Sequence, residues 1–201
     1  IACVLSLLYY LFFRCANTRH STMADEQKKD ETVVTVTYWA GRGRAEPTRL
    51  LLAAAGVKFN NVFLTLPKEL ADIRASGKLA YDQLPLVEMD GLNLVQTGAQ
   101  FRYIADKYKL RGSNVKEAYL VDLVYEGTKD ARGPLMGYQF HEDADKLVQE
   151  FNDKRFCKKW EELLSDEACA KDGYFIGKAS AADVAVFEVL EFLQLAVGDD
   201  K

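Results

Sequence analysis

Asp90-Gly91 stands between two short apolar runs, Leu86-Val87-Glu88-Met89 and Leu92-Asn93-Leu94. A dipeptide of this kind flanked by strand-forming residues is the strongest short-range signal for a two-residue hairpin, because both turn positions require positive φ. The chain from Gln83 to Thr97 is therefore expected to hold two antiparallel strands. Pro85 marks the entrance: it has no backbone donor and drives Leu84 into extended geometry. Leu84 is left with its own N–H and C=O available at a strand edge, where a peptide-like ligand can pair. Thr97 precedes Gln100 by three residues, the spacing of a capping box, so the amides near Gln96 and Thr97 are expected at the positive end of a helix. Together these features suit a small acidic peptide; an ordinary hairpin followed by a capped helix accounts for the same residues.

The 201 residues are enough for one large or two small domains with real cores. A net charge of −4 argues against a general nucleic-acid or anionic-membrane binder, which needs a basic face, yet leaves room for a local basic pocket. Cys3, Cys15, Cys157 and Cys169 form no Cys-x-x-Cys pair, and with His20 and His141 they draw no zinc-like cluster. Cys157 and Cys169 read as reduced, partly buried thiols of an intracellular protein.

Ile1 to Phe13 is almost wholly apolar, too short to span a bilayer, which needs about 18 residues. Met23 and its polar leader resemble an initiator. Residues 1–31 are therefore expected to be a leader or non-native extension, a truncated signal anchor being the rival reading. A first strand is expected over Val33–Tyr38, then the loop Gly41-Arg42-Gly43-Arg44. A helix follows with Pro47 in its first turn, Leu50–Ala55 as its body and Gly56 as its left-handed stop. Val57–Leu64 reads as a second strand, and Pro67 opens a short helix carrying Leu70, Ile73 and Arg74. After the hairpin, Phe101, Ile104, Ala105 and Tyr108 lie on one helix face. The order β-α-β, α, β-β-α implies a parallel pair from the crossover and an antiparallel pair from the hairpin. An α/β domain is expected over 32–110. Beyond the connector Lys109–Asn114, the stretches 115–132, 142–170 and 181–197 have helical periodicity, so 115–201 is expected to be all-α and cut short at its end. Ser180 and Asp183 form a second capping-box spacing.

Tyr38 ends the first strand and faces a loop holding Arg42 and Arg44. Gly41-x-Gly43 resembles a dinucleotide loop, but Glu46 occupies the third glycine position and no Gly-Lys-Ser/Thr follows, so phosphate-loop readings fail. Between Tyr38 and Arg49 there is no cysteine, where a thiol–disulfide enzyme of this β-α-β order carries its nucleophile. If the site handles a thiol, the ligand brings the sulfur.

Five groups of residues now fall in order: Tyr38-Trp39-Ala40-Gly41-Arg42-Gly43-Arg44-Ala45-Glu46 with Thr48-Arg49, then Leu52–Val57, Gln83-Leu84-Pro85, Val95-Gln96-Thr97, and Gly177, Ser180 and Asp183. In this the chain resembles the cytosolic glutathione S-transferases of the tyrosine group, most of all the alpha class, from about Val33 to Val197. The resemblance implies a thioredoxin-like N-terminal domain, a helical C-terminal domain, a cytoplasmic homodimer, glutathione as co-substrate and no metal. It implies addition of the glutathione thiolate to hydrophobic electrophiles, as in detoxification. A glutathione-dependent isomerase of the prostaglandin-synthase kind and a non-catalytic crystallin-like or ligand-carrying relative are the alternatives.

By the same resemblance Tyr38 matches the hydroxyl that donates to the glutathione sulfur and Arg44 the guanidinium assisting it. Arg74 matches the basic residue that holds the glycine carboxylate. Leu84, before a cis Pro85, matches the backbone pairing with the cysteinyl unit, with Gln83 beside it. Gln96 and Thr97 match the grip on the γ-glutamyl end. Asp130 and Arg155 match positions reaching the partner subunit's ligand, and Tyr81 the aromatic key inserted into the other subunit. Trp39, Met136 and Phe140 are expected in the electrophile pocket. Gly98 departs from the pattern, since alpha-class chains carry a larger residue there, and by the resemblance the chain is expected to stop before the helices that cover the pocket in the family.

The chemistry is of a reasonable size. A free thiol has a pKa near 8.5, so at pH 7 only a few per cent is thiolate. A donated hydrogen bond favours the charged form. Lowering that pKa by about two units requires about 2.7 kcal/mol, within the roughly 1.5–3 kcal/mol of one hydrogen bond to a charged group.

Overall fold

The computed structural model of the chain describes residues 33–136, 146, 149, 151, 156–166 and 170–197. Strand β1 (Val34–Trp39) leads through a single 3-10 turn at Gly43–Ala45 into helix α1 (Glu46–Ala54) and back to strand β2 (Phe59–Leu64). Helix α2 (Pro67–Ala75) crosses to strands β3 (Leu86–Met89) and β4 (Leu92–Leu94), and helix α3 (Thr97–Lys107) closes the unit. The sheet order is β2-β1-β3-β4. β1 and β2 are parallel, as a crossover through α1 demands, and β3 pairs antiparallel with both β1 and β4. This is the expected thioredoxin-like arrangement.

The local reasons are those of the sequence. Asp90 and Gly91 have φ of 54° and 73°, the two positive values that a tight hairpin turn requires. Asp90 does more: its carboxylate accepts from the Tyr103 hydroxyl at 2.7 Å and from Lys107, which ties the hairpin tip to α3. Those hydrogen bonds, Lys107 first, hold the Asp90 carboxyl below its usual value. Gly56 ends α1 with φ of 72°, and Val57 N–H returns to the Leu52 carbonyl. Val34, Val36, Leu51, Leu52, Val87, Phe101 and Ile104 fill the space between sheet and helices, all at most 3 % exposed.

Beyond Leu110 the regular elements among the described residues are all helices, with one isolated bridge between Lys171 and Tyr174. Helix α4 (Val115–Leu135) starts at Asn114, whose side chain accepts from the Lys116 and Glu117 amides. It runs three residues past the expected end at 132, through Pro134, because Leu135 is fully buried. Helix α5 (Phe156–Ser165) packs on α4 at Trp160, whose Nε1 lies 3.9 Å from a Cβ built at Gly127, while Phe151 packs against Phe156 and Trp160. Helix α6 (Ala181–Val197) lies against both α4 and α1 and so joins the two halves. Its start is the expected cap: the buried Asp183 carboxylate accepts from Ser180 N at 2.8 Å, Ser180 Oγ at 2.6 Å and Phe175 N at 3.3 Å. Burial nonetheless pushes the Asp183 carboxyl up to about 6, against those bonds.

A charged seam also links the halves. Arg111 of the connector grips Asp122 of α4 with two nitrogens at 2.7 and 3.0 Å, and Arg102 of α3 reaches Asp122 at 3.2 Å and also Glu126. Cys157 is a free, half-buried thiol whose pKa burial raises; Cys3, Cys15, Cys169, His20, His141 and the expected leader 1–31 lie outside the described residues.

Candidate active site

The C-terminal end of β1, the N-terminal end of β3, the start of α3 and the C-terminal half of α4 converge on one region. Tyr38 is half-buried near the end of β1. The backbone N–H of Arg44 donates to its hydroxyl oxygen at 3.2 Å. With one oxygen lone pair so occupied, the phenolic proton remains to be donated to another acceptor. The loop needs Gly43 to do this. Its φ is 44°, and a Cβ there would stand 2.5 Å from Tyr38 Cε1 and 2.7 Å from the hydroxyl. No side chain fits between the loop and the ring.

Two arginines brace the same loop. Arg49 of α1, 8 % exposed, donates to Gly41 O and to Asn61 Oδ1, both at 2.8 Å, and pairs with Glu46 at 3.1 Å. Arg132 of α4 donates to Gly43 O. Arg42 pairs with Glu46 at 3.4 Å and with Glu191 of α6, so its charge is held by carboxylates rather than turned to Tyr38.

Gln96 and Gln83 meet through Gln96 Nε2 donating to Gln83 Oε1 at 3.3 Å, and Thr97 Oγ1 donates to Arg44 O at 3.4 Å. Arg74 of α2 donates to the Asp82 carbonyl at 2.9 Å, one residue before Gln83. Leu84 precedes the cis Pro85, and among the described residues no backbone hydrogen bond outside the regular elements uses its N–H or C=O. Arg74, Gln83, Leu84, Gln96, Thr97 and Arg44 thus follow the rim of the sheet toward Tyr38.

The capping box expected at Thr97 and Gln100 is not formed. Gln96, with φ of 65°, occupies the cap position and Thr97 is already inside the helix. Gln100 is completely buried and donates instead to Pro85 O and Leu94 O, each at 2.8 Å. Burial decided it: the amide of Gln100, fully inside the core, pairs its donors with the two carbonyls that flank the hairpin.

Beside this rim a cavity of about 200 Å³ opens between the halves, lined by Arg44, Pro47 and Thr97 on one side and by Tyr125, Thr128, Lys129, Arg132 and Gly133 of α4 with Met136 at its end on the other, and by Ala185 and Glu188 of α6 at the back. Met136 is among the lining residues. Trp39, expected in this pocket, and Tyr38 are not among the residues that line it. Phe140 and Arg155 lie outside the described residues. Asp130 is exposed on α4, and Tyr81 is 67 % exposed ahead of Pro85. Gly98 leaves room that a larger residue would contest with Arg102 Nη1, 3.2 Å from a built Cβ.

The cavity also contains residues that sequence reasoning missed. Arg132 and Glu188 form an ion pair at 2.7 Å with side chains 9 % and 1 % exposed. Burial pushes the Glu188 carboxyl up to about 7, against the pull of Arg132 and Arg42, and lowers Arg132 from its ordinary value. The signal was available. Arg132 continues the buried stripe Val121, Tyr125, Thr128, and Glu188 the stripe Ala181, Val184, Ala185. A charge on an apolar helix face implies a buried partner.

Residues 34–106 match the family model described as "Glutathione S-transferase, N-terminal domain". The rat protein named glutathione S-transferase alpha-5 is 40% identical over 159 residues, which cover 76% of this chain and 71% of that one. The chain belongs to the glutathione S-transferase family. Human glutathione S-transferase A3 is 37% identical over 163 residues, covering 78% of this chain and 72% of the relative. Among solved structures, a Caenorhabditis elegans glutathione S-transferase superposes with a TM-score of 0.68 at 29% identity, covering 81% of this chain and 82% of that one. The Pi-class enzyme of Onchocerca volvulus gives 0.67 at 29% identity, covering 81% and 78%. The glutathione transferase fold and enzyme class follow for this chain, with glutathione as the family's co-substrate.

Proposed function

We propose that this transferase binds glutathione along the rim from Arg74 to Tyr38, ionises its thiol there and adds the thiolate to a hydrophobic electrophile seated in the adjoining cavity. The observation that carries the reading is the Arg44 N–H to Tyr38 hydroxyl bond. It fixes the phenol and leaves its proton for the sulfur. Gln96 and Thr97 supply the γ-glutamyl end with an amide and a helix start, Leu84 offers the cysteinyl unit a peptide edge with no backbone partner among the described residues, and Arg74 supplies a cation for the glycine carboxylate. Arg44 lines the cavity and adds positive charge where the thiolate forms. Met136 meets the electrophile.

The domain division at 32–110 and 115–201, a homodimer keyed by the exposed Tyr81, with Asp130 and Arg155 reaching across, and a cytoplasmic location belong to the same reading. None of the described helices is long and apolar enough to cross a membrane. Among the described residues, no group of three or more His, Cys, Asp or Glu is placed to hold a metal ion.

Tyr38→Phe tests it. Removing the proton donor should leave glutathione affinity nearly intact and lower conjugation of a generic aromatic halide at neutral pH by about 10²-fold, the loss of roughly 2.7 kcal/mol. Conjugation unchanged by the substitution would remove Tyr38 from the chemistry, and capture of glutathione without turnover by the wild type would mark a carrier instead.

A further inference from the structure

The peptide unit that joins Gly43 to Arg44 is hydrogen-bonded at both ends. Its N–H donates to the Tyr38 hydroxyl, and its C=O accepts from Nη2 of Arg132, a residue on α4 in the other half of the molecule. We infer that Arg132 is a positioning residue for thiol activation, acting on Tyr38 through this single peptide. The inference rests on the reading of Tyr38 given above.

The physical basis is direct. A peptide carries a dipole of about 3.5 D, positive at the N–H. A guanidinium on the carbonyl end draws electrons away from the amide and strengthens what its N–H donates, an effect of roughly 10–30% per bond in a chain. The side chain is buried, so solvent does not screen it. Its position is fixed from three sides: the Glu188 carboxylate at 2.7 Å, the Phe192 ring 5.3 Å from the guanidinium carbon, and Gly43 O. Gly43 itself has no slack against the Tyr38 ring. Loss of Arg132 therefore removes one of the loop's two arginine braces and the polarising charge together. Glu188 acts one step further out, holding Arg132. The other groups facing this pair are Arg42, Glu46 and Glu191 toward Glu188, and Tyr38, Glu46 and Tyr125 toward Arg132.

Arg132 also lines the cavity, so it could instead touch the electrophile. A titration without electrophile separates the two roles. The ultraviolet absorbance of bound glutathione thiolate is followed against pH in the full chain. In the wild type the midpoint should lie below the value of about 8.5 for a free thiol. In Arg132→Met it should rise by about one unit, a tenfold loss of thiolate at neutral pH. The glutathione dissociation constant should stay within about threefold, and conjugation should recover above pH 9. Arg132→Lys should restore at least half of the shift. Because Arg132→Met leaves Glu188 without its partner, a second variant, Arg132→Met with Glu188→Met, removes both charges and should show the same shift. A wild-type midpoint in a folded Arg132→Met or in the double variant overturns the inference and leaves Tyr38 in place. A wild type that binds glutathione without lowering its midpoint overturns the Tyr38 reading as well.

Discussion

Gly43→Ala adds one methyl group at the most confined point beside the reactive hydroxyl. Its Cβ would stand 2.5 Å from Tyr38 Cε1, 2.7 Å from the hydroxyl and 3.0 Å from Cζ. Carbon atoms rest at about 3.5–4.0 Å, so ring and loop must part by about 1 Å. The Arg44 N–H to Tyr38 bond, already 3.2 Å, does not survive that separation. The left-handed backbone at φ of 44° adds a cost of roughly 1–2 kcal/mol for a residue with a Cβ. A displacement of about 1 Å at a reacting group can lower a rate about 10²-fold. The expected result is a fall of about 30- to 100-fold in kcat/KM for aromatic-halide conjugation and a loss of roughly 2–3 kcal/mol in stability, read from a urea melt. Gly41→Ala is the control, two residues away with no atom within 4 Å of its built Cβ and no positive φ; it should cost little in either assay. Equal kinetics for the two variants would refute the argument that the Tyr38 ring is held by contact with Gly43.

Arg74→Ala should raise the glutathione KM about tenfold while kcat falls less than threefold, since a cation on the ligand's carboxylate contributes binding and little chemistry; steady-state kinetics with the reverse split would count against that role. Stability should also depend on pH in an unusual sense. Asp183 and Glu188 have folded pKa values raised to about 6 and about 7 by burial, so the native state holds more protons than the unfolded one between those values and about 4. Their contribution is complete below the unfolded pKa and is lost as pH rises through 6 and then 7. The melting temperature should be higher at pH 5.5 than at pH 8, and Glu188→Gln should flatten the upper part of that slope. A midpoint that stays level or climbs between those pH values in the wild type would show that the two carboxyls are not as desolvated as their packing indicates.

Local rules were enough for much of the fold. Asp90-Gly91 dictated a turn because both residues must adopt positive φ, Gly56 stopped α1 for the same reason, and the Ser180–Asp183 spacing marked the start of α6. These depend on backbone geometry within a few residues, and chain order alone then fixed which strand pair is parallel. Part of the candidate site was readable for a related reason: Tyr38 nears the end of a strand and Leu84 precedes Pro85, whereas Arg74 and Gln83 follow only from the family resemblance.

What needed the tertiary structure were the features made by residues far apart in the chain. Gln100 gave up a cap to donate to the carbonyls of Pro85 and Leu94. Arg132 met the Gly43 carbonyl across 89 residues and Glu188 at the back of the cavity. A side chain's partner is chosen by the dielectric and the open lone pairs around it, and those exist only once the two halves are packed together.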